Sequence, residues 1–535
     1  MAERDLYLRE GLGYLPHLLE LVDRNRASST YGSFDRAYWH YRTSDFPSGM
    51  FQECVLPLAL AYQLNHPENP FYKVERLKEL VIAGIQFAAR SSHPDGSCDD
   101  YFPYERAAGA ATFSLYAATE ASLLLGLREP SFVEFFKRRA AYLAHEGFSE
   151  SGILSNHKAL IVLALYNVFL ITGDSFFKKT AGEKLAQLLS LQNTEGWFPE
   201  YEGCDPGYLT FTIDFLAKYY QKSKDETVLK PLERAVQFSS FFQHPDGSYG
   251  GEYGSRNTFH FLPHGFELMG SRFPVALRMA DHFLESLEIG KRSYLEDDRI
   301  FCHYVYNFLQ AYIDYSSRDL VASSHEKQSF TEIFQEAGLV IKNSGTHYGV
   351  ISLCKGGVAK IFFGKKLVYC DSGLVGQARD GRKFISQVMA KNHSKIEGER
   401  IQIEGSCYEY QEILFSHWSF LLFRLFLLIF ARFLPANFTR RILQAKAVVR
   451  TKKKIPFRYS KQFLFDGAPQ VEWKFYLDEP SLQLKSLWIA SDATFIYTAT
   501  SQPFQPGTLQ GWFDLSGIVE ELNQKRTAVW RKPLS

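Results

Sequence analysis

A repeat of about fifty residues constrains this chain more than any other feature of its sequence. Turn-forming clusters recur through the N-terminal part, and their glycines are Gly49, Gly96, Gly147, Gly196 and Gly247. The spacings between these glycines are 47, 51, 49 and 51 residues. In the sequence Pro-Asp-Gly, which occurs twice, proline presets φ, aspartate bonds back to the backbone and glycine supplies conformational freedom. A recurring unit of this length predicts a repeat architecture.

Each repeat has room for a helical hairpin. Between the turns, apolar residues follow helical spacing, as in the segments from Leu77 to Ala88 and from Leu160 to Ile171. Six such hairpins can close into an (α/α)6-type toroid, which we predict for residues 1–325. A linear solenoid is the alternative. Loops rich in aromatic, acidic and histidine residues favour the toroid, because they suit a wet central cleft.

The second half of the chain has a different pattern. From about Ser329, short alternating segments are separated by glycine-containing turns, which is typical of strands. We therefore predict an antiparallel β-sandwich over 326–535, interrupted by a basic amphipathic helical insertion at 413–460. The fold class is α+β multidomain, with a helical toroid followed by the sandwich.

Charge is balanced overall but unevenly distributed. The chain of 535 residues has 60 basic and 59 acidic side chains, which argues against a nucleic-acid binder. Between Ile413 and Phe465, however, there are eleven lysines and arginines and no acidic residue. The remainder carries 49 basic and 59 acidic side chains. The molecule is therefore a mildly acidic body with one strongly basic segment.

The basic segment begins with a nearly continuous apolar run from Trp418 to Leu434. This run contains two arginines and is short for a membrane span, which needs about 20 apolar residues. We predict a helix lying in the interface of an anionic membrane. The predicted membrane contacts are Trp418, Phe423, Phe426, Phe430, Arg440 and Arg441. A helical hairpin packed on the sandwich is the alternative.

The N-terminus has no basic region followed by an apolar stretch, so no secretory signal is visible. We expect a cytoplasmic protein, peripherally associated with the inner face of the cell membrane. The seven cysteines are scattered and form no CxxC pair, which argues against a disulfide framework and a zinc ribbon. Buried free thiols are the expectation.

Three loops of the repeat region concentrate reactive side chains. Asn156 and His157 precede an apolar helix, Tyr208 ends a loop that starts near Phe198, and Arg256 lies in a third loop. Equivalent loops of a toroid converge on one cleft. Removing a weakly acidic proton next to a carboxylate requires that the carboxylate be neutralised and that a base and an acid be close. We predict catalytic roles for these four residues: carboxylate binding by Asn156 and Arg256, with His157 assisting or acting as base. Tyr208 would serve as base or as acid to the leaving oxygen.

The same loops contain further polar side chains that could bind substrate. The candidates are Glu200, Glu252, Tyr253, Asn257, His260 and His264. The two histidines have i, i+4 spacing but no intervening glutamate or further ligand, so we predict no metal site and no cofactor. Glu200 and Glu252 could instead be the carboxylate pair of a hydrolase.

The chain resembles the heparinase II/III-like polysaccharide lyases and related alginate lyases. The motifs that carry the resemblance are the pair Asn156-His157, the loop from Glu200 to Tyr208, and the stretch from Gly338 to Gly373. The resemblance implies β-elimination of a uronate-containing glycan, with carboxylate neutralisation at the Asn-His pair and acid-base work at the tyrosine. Many members also bring a histidine from the sandwich into the cleft, for which His347 and His393 are the nearest candidates.

These observations predict a carbohydrate-active enzyme, a polysaccharide lyase acting at the membrane. Its predicted partners are an acidic polysaccharide or lipid-linked oligosaccharide and an anionic membrane surface, without nucleic acid. Two alternatives remain open. One is a hydrolase, epimerase or transferase acting on a lipid-linked glycan, and the other is an inactive glycan-binding scaffold of exopolysaccharide assembly.

Overall fold

The structure is a computed structural model. It describes residues 3–145, 154–201, 203–291, 297–318, 329–390, 392–410, 415–434, 438–439, 453–492, 509 and 511–535. The predicted domain boundary at 325/326 and the predicted membrane contacts Arg440 and Arg441 lie outside these residues.

The N-terminal part is helical. Its helices are α1 (Asp5–Gly13), α2 (Leu15–Leu21), α3 (Arg36–Trp39), α4 (Val55–Gln63), α5 (Glu75–Arg90), α6 (Ala108–Leu125), α7 (Pro130–His145), α8 (Ser155–Thr172), α9 (Ser175–Leu189), α10 (Pro206–Ser223), α11 (Leu229–Ser239), α12 (Pro263–Gly270), α13 (Pro274–Glu288) and α14 (Cys302–Ile313).

Six of these helices form a closed inner ring. Helices α4, α6, α8, α10, α12 and α14 each pack against the next, and α14 packs against α4. The outer helices α5, α7, α9, α11 and α13 alternate with them along the chain, and α1 packs on α14. The inner helices are apolar nearly all round, as helices buried on every side must be. The predicted toroid is confirmed, and the solenoid alternative is wrong because the ring closes.

The predicted turns of the repeat share one geometry. In three repeats the glycine N–H donates to the carbonyl oxygen three residues earlier, at 2.9 Å for Gly96 and 3.0 Å for Gly196 and Gly247. All three glycines have positive φ, between 89° and 108°. This conformation is accessible to glycine without the steric penalty that a side chain would bring. The repeat seen in the sequence is therefore a repeat of backbone hydrogen bonds.

The described residues of the C-terminal part form antiparallel strands and two α-helices. The strands are β1 (Phe330–Phe334), β2 (Leu339–Asn343), β3 (His347–Ser352), β4 (Ala359–Phe363), β5 (Lys366–Asp371), β6 (Leu374–Ala378), β7 (Lys383–Ile385), β8 (His393–Glu397), β9 (Arg400–Tyr410), β10 (Lys454–Leu464), β11 (Gln470–Leu477), β12 (Leu484–Ile489), β13 (Phe513–Asp514) and β14 (Thr527–Pro533). Helix α15 (His417–Ile429) lies between β9 and β10, and α16 (Ser516–Lys525) precedes β14.

Strands β1 to β5 form a five-stranded sheet in sequence order. A larger sheet has the order β13-β12-β6-β7-β9-β10-β11-β14, with β8 paired to β9. Side chains from both sheets, including Ile361 and Trp473, share one apolar core. Strand β10 begins at Lys454, inside the predicted insertion 413–460. The end of that segment is a sheet strand because its alternate side chains enter the core.

The smaller sheet also packs on the toroid. The Phe334 ring lies 4.7 Å from the Phe238 ring and 5.3 Å from the Phe241 ring, between centroids. Toroid residues and strands β1 to β3 therefore belong to one continuous apolar core.

Candidate functional site

The site is built at one end of the toroid, where the six inner helices begin. Asn156, His157, Tyr208 and His264 lie in the first turns of these helices, and the other candidates of the repeat loops lie in the segments that lead into them. Because the inner helices start at the same end, the positive ends of their dipoles and their free N–H groups surround one cleft. Such a cleft favours anionic groups.

A row of aromatic and imidazole rings crosses this cleft, and we call it the cleft floor. It consists of His157, Phe113, His303, Phe211, His260 and Tyr208. Neighbouring centroids along this row are 5.6, 4.4, 5.8, 5.2 and 5.3 Å apart. The structure thus brings together three of the predicted residues, His157, Tyr208 and His260.

His260 is a neutral imidazole at physiological pH. Its side chain is 3% exposed and its Nδ1 is hydrogen-bonded to the Tyr304 hydroxyl. Burial, together with the neighbouring His303, lowers the pKa of His260 to about 3. A neutral histidine can accept a proton or share one with a tyrosine.

Asn156 and Glu200 form a sealed pair at the start of α8. The backbone N–H and the Nδ2 of Asn156 donate to the two carboxylate oxygens of Glu200, at 2.8 and 3.0 Å. Both side chains are buried, and burial raises the pKa of Glu200 to about 8. The Asn156 amide is thus turned toward Glu200 in the interior. Its placement favours a role in fixing the loop over the predicted direct contact with substrate.

Asp205 organises the loops that carry Tyr208 and Arg256. Its carboxylate accepts the backbone N–H of Tyr208 at 3.1 Å, as the cap of α10, and that of Arg256 at 2.8 Å. The Arg256 guanidinium lies 4.0 Å from the centroid of the Tyr201 ring. It makes no ion pair with any residue that the structure describes, and its Nε is buried without a partner among them.

A buried lysine connects the sheets to the third loop. Lys355, between β3 and β4, donates through Nζ to the backbone oxygen of Glu252 at 2.9 Å and to Oδ1 of Asn257 at 2.6 Å. Burial lowers the pKa of Lys355 to about 8. Asn257 is therefore occupied in holding this lysine. Its placement favours a structural role over the predicted substrate contact.

Neither candidate histidine of the sandwich lies at the cleft. His347 is hydrogen-bonded through Nε2 to the carbonyl oxygen of Leu534 at 2.7 Å, and His393 is exposed on β8. Sandwich residues that do contact the site loops include Lys355 and Gln387, both through Oδ1 of Asn257.

Three further candidates lie away from the cleft floor. Glu252 is paired with Lys360 of β4 at 3.0 Å, and the Tyr253 hydroxyl is hydrogen-bonded to His244 at 2.9 Å in the interior. His264, in the first turn of α12, is bonded to Asp314 at 2.8 Å. Their burial and partners favour structural roles, because each side chain has a polar partner inside the protein.

The sequence analysis missed one cluster at the cleft. A carboxylate oxygen of Glu53, Sγ of Cys302 and a ring nitrogen of His303 all lie within 4.8 Å of one another. His303 Nδ1 lies 2.7 Å from one oxygen of Glu53, and the Cys302 thiol donates to the other at 3.2 Å. The signal that could have found His303 is the repeat itself, because every inner helix places its first turn at the cleft.

The predicted membrane residues divide into two groups. Phe423 and Phe426 are half-buried, and with Leu427 they pack α15 against Phe102 and Tyr104. Trp418 and Phe430 are exposed, at 76% and 56%. Other exposed apolar side chains of the same segment are Phe420, Leu421, Leu422, Leu425, Leu428, Ile429 and Phe433. We call this surface the α15 apolar face. The described contacts of α15 are with the helical part of the chain, whereas the alternative was a helical hairpin packed on the sandwich.

Among the described residues, one helix is long and apolar enough to cross a membrane, by length and composition alone. It is the inner helix α8, Ser155–Thr172, and 72% of this 18-residue stretch is buried inside the toroid. Helix α15 has 13 residues, which is short for a span.

Comparisons with known proteins agree with this architecture. No family model and no curated protein sequence matches the chain. Among solved structures, a chondroitin AC lyase from Streptomyces coelicolor, in complex with chondroitin sulphate, has a TM-score of 0.50 at 10% identity. The match covers 92% of this chain and 71% of that one.

Two further structures are similar at lower scores. A xanthan lyase from Paenibacillus has a TM-score of 0.48 at 8% identity, covering 92% of this chain, which spans about half (51%) of that protein. A heparinase III has a TM-score of 0.42 at 10% identity, covering 91% and 71%. At such identities a likeness shows the fold alone. The chain therefore has the fold of the toroid polysaccharide lyases, an (α/α) toroid followed by antiparallel sheets.

Proposed function

We propose that the cleft acts on an acidic, uronate-containing glycan and eliminates a glycosidic oxygen after removing the proton next to the carboxylate. The observation that carries this proposal is the convergence of Tyr208, His157 and His260 at the ends of six inner helices. That position attracts the carboxylate, and the rings supply groups that can take and return a proton.

Arg256 has the place and charge to bind the substrate carboxylate. A charge-assisted contact with guanidinium stabilises the carboxylate and the negative charge that develops when the neighbouring proton is removed. In the chondroitin AC lyase the fold is used on an acidic polysaccharide, which supports the choice of substrate class.

The test is to incubate the protein with uronate polymers and follow the ultraviolet absorbance of the unsaturated product. We expect absorbance with at least one polymer and a loss of about 100-fold or more in Tyr208→Phe. Tyr166→Phe is the matched control, because Tyr166 is also on an inner helix but three turns away from the cleft. Absence of product with every uronate polymer, or full activity of Tyr208→Phe, would contradict the proposal.

Product analysis separates the alternatives. Only elimination leaves a carbon-carbon double bond, whereas hydrolysis, epimerisation and transfer do not. Glycan binding without turnover, retained in both His157→Ala and Tyr208→Phe, would indicate a binding scaffold instead.

We further propose that the α15 apolar face rests on an anionic membrane. The face is contiguous, and its segment belongs to the stretch with eleven basic and no acidic residues. Burying one such side chain in an apolar phase contributes about 1.5 to 3 kcal/mol, and each basic residue near an anionic surface adds about 1 kcal/mol. The combination fits a lipid surface better than a protein interface, whose core is poor in charge.

This surface adjoins the cleft. Helix α15 packs on Phe102 and Tyr104, a few residues before α6 begins, and Gly109 of α6 is in contact range of His157. A membrane-bound protein would therefore hold its cleft close to the lipid headgroups. Such a position suits a lipid-linked oligosaccharide at the cytoplasmic face of the membrane.

Vesicle flotation tests the membrane proposal. We expect the protein to float with vesicles containing phosphatidylserine, and the triple variant Trp418→Ser, Leu422→Ser, Phe433→Ser to remain below. The control replaces three exposed apolar residues elsewhere, Tyr41, Ile289 and Ile313, by serine. Equal flotation of the triple variant and the control variant would refute the proposal. If the wild type is a dimer and only the triple variant is a monomer, the α15 apolar face binds a second copy of the chain instead of a membrane.

A further inference from the structure

His303 has the surroundings of an acid-base group and no role in the proposal above. It lies in the first turn of α14, the inner helix that closes the toroid. Its ring stacks on Phe113 at 4.4 Å and meets the edge of Phe211 at 5.8 Å, so the floor of the cleft fixes its plane.

Glu53 fixes the tautomer of His303. The Glu53 carboxylate is fully buried and lies 2.7 Å from Nδ1. Because an ionised carboxylate can only accept, Nδ1 carries the hydrogen and Nε2 is left with its lone pair. A carboxylate behind an imidazole also stabilises the imidazolium that forms when Nε2 takes a proton.

Nε2 of His303 is open to the cleft. It makes no hydrogen bond to any residue that the structure describes, and it is not among the polar atoms sealed from solvent. The residue is 5% exposed, and the water that reaches the first turn of an inner helix is the water of the cleft.

We infer that His303, oriented by Glu53, is a second acid-base group of the cleft that works opposite Tyr208. The inference rests on the proposed function and extends it. Both residues contact Phe211, His303 at 5.8 Å and Tyr208 at 6.0 Å between ring centroids, so the two side chains are neighbours of the same ring in the cleft floor.

These two residues account for every proton that moves in the elimination. Nε2 of His303 takes the proton from the carbon next to the carboxylate, and the electron pair of that C–H bond becomes the new double bond. The adjacent C–O bond breaks, and the leaving oxygen takes the proton of the Tyr208 hydroxyl. Water then carries the proton of the imidazolium back to the tyrosine oxygen, which restores both groups.

The test compares His303→Gln and Glu53→Gln with His17→Gln. His17 is a matched control, because it forms an equally short contact with Asp298, 2.7 Å, on the outer surface. We expect His303→Gln to lower kcat about 100- to 10,000-fold with KM changed less than about threefold. Glu53→Gln should lower kcat about 10- to 100-fold, and His17→Gln should match the wild type.

Two further readouts separate an acid-base role from a structural one. Imidazole added to His303→Ala should restore part of the activity, because it can occupy the space of the missing ring. Nitrogen NMR of the wild type should show the Nδ1–H tautomer of His303, and this preference should weaken in Glu53→Gln.

The outcomes distinguish the two proposals. Elimination by the wild type with unchanged kcat in His303→Gln overturns this inference alone. The wild type could instead exchange the substrate proton for deuterium without forming a product that has a double bond. If this exchange is lost in His303→Gln, the result supports the inference and overturns the elimination. If the wild type shows neither elimination nor exchange on uronate glycans, both are overturned.

Discussion

At the scale of single residues, the cleft is a set of side chains whose environments differ over short distances. His260 is buried and neutral, Glu200 is buried beside an amide, and Arg256 lies half-buried on an aromatic ring. Because desolvation disfavours the charged form of a group, burial lowers the pKa of His260 and raises the pKa of Glu200.

Glu200 makes stability depend on pH. Its pKa is raised to about 8 in the folded protein by burial, against 4.5 for the ordinary group. The folded state then binds more protons than the unfolded state between these values, so this contribution is complete below about pH 4.5 and is lost as pH rises toward 8.

Chemical unfolding of Glu200→Gln should show the difference. We expect the free energy of unfolding of the wild type to fall relative to the variant by at most about 1.4 kcal/mol per pH unit between pH 5 and 8. Parallel pH dependence of the two proteins would show that Glu200 is ionised when folded.

Gly109 makes room for the His157 ring. A Cβ at Gly109 would lie 3.0 Å from Cε1 of His157. Gly109→Ala should therefore displace the imidazole and lower turnover at least several-fold, although alanine favours helix by up to about 1 kcal/mol. Gly182→Ala, in α9 with no atom within 4 Å of its Cβ, is the control and should leave activity unchanged.

At the scale of elements, a buried ion pair joins the two sheets. Lys461 of β10 and Asp371 at the end of β5 are fully buried and in direct contact, and Nζ also bonds to the backbone oxygen of Gly357. The lysine lies over the Trp473 ring, with 4.6 Å from Nζ to the centroid. Removing one charge leaves the other buried without its partner, which is the costly change.

Lys461→Met should lower the free energy of unfolding by about 3 to 5 kcal/mol. Adding Asp371→Asn should recover part of this loss, since the amide carries no charge that needs a partner. Urea unfolding of the two single variants and the double variant measures the coupling, and strictly additive effects would mean that the charges do not interact.

At the scale of the whole molecule, the toroid and the smaller sheet share one core. Phe334 of β1 packs between Phe238 and Phe241, and the Tyr348 hydroxyl donates to the Phe241 carbonyl at 2.5 Å. A continuous core couples the unfolding of its parts, since neither surface can be exposed without cost.

Phe334→Ala tests this coupling. Truncating a buried phenylalanine costs about 3 to 5 kcal/mol, and we expect one thermal transition that moves to lower temperature as a whole. Calorimetry would show it. A variant in which the sheet transition separates while the toroid transition stays in place would indicate two independent bodies.

The repeat made the toroid predictable. A fifty-residue period with turn glycines and helical apolar spacing determines a helical hairpin per unit, because these are local properties of the chain. The same locality made the strands of the second half predictable. Strand β10 was predicted as part of the insertion, because basic residues on its outward face hid the alternation.

The site was predictable only as a set of loops. Sequence order placed Asn156, His157, Tyr208 and His260 near inner-helix starts, but it could not show that Asn156 faces Glu200 and that Tyr253 and His264 have partners inside the protein. It also passed over His303, whose partner Glu53 lies 250 residues away along the chain.

The sequence by itself thus determined the repeat, the two kinds of secondary structure and the separation of a basic apolar segment from an acidic body. Only the tertiary structure decided which polar groups face the cleft and which face each other. The physical reason is that propensity and patterning act between near neighbours, whereas burial, pairing and protonation depend on what ring closure brings together.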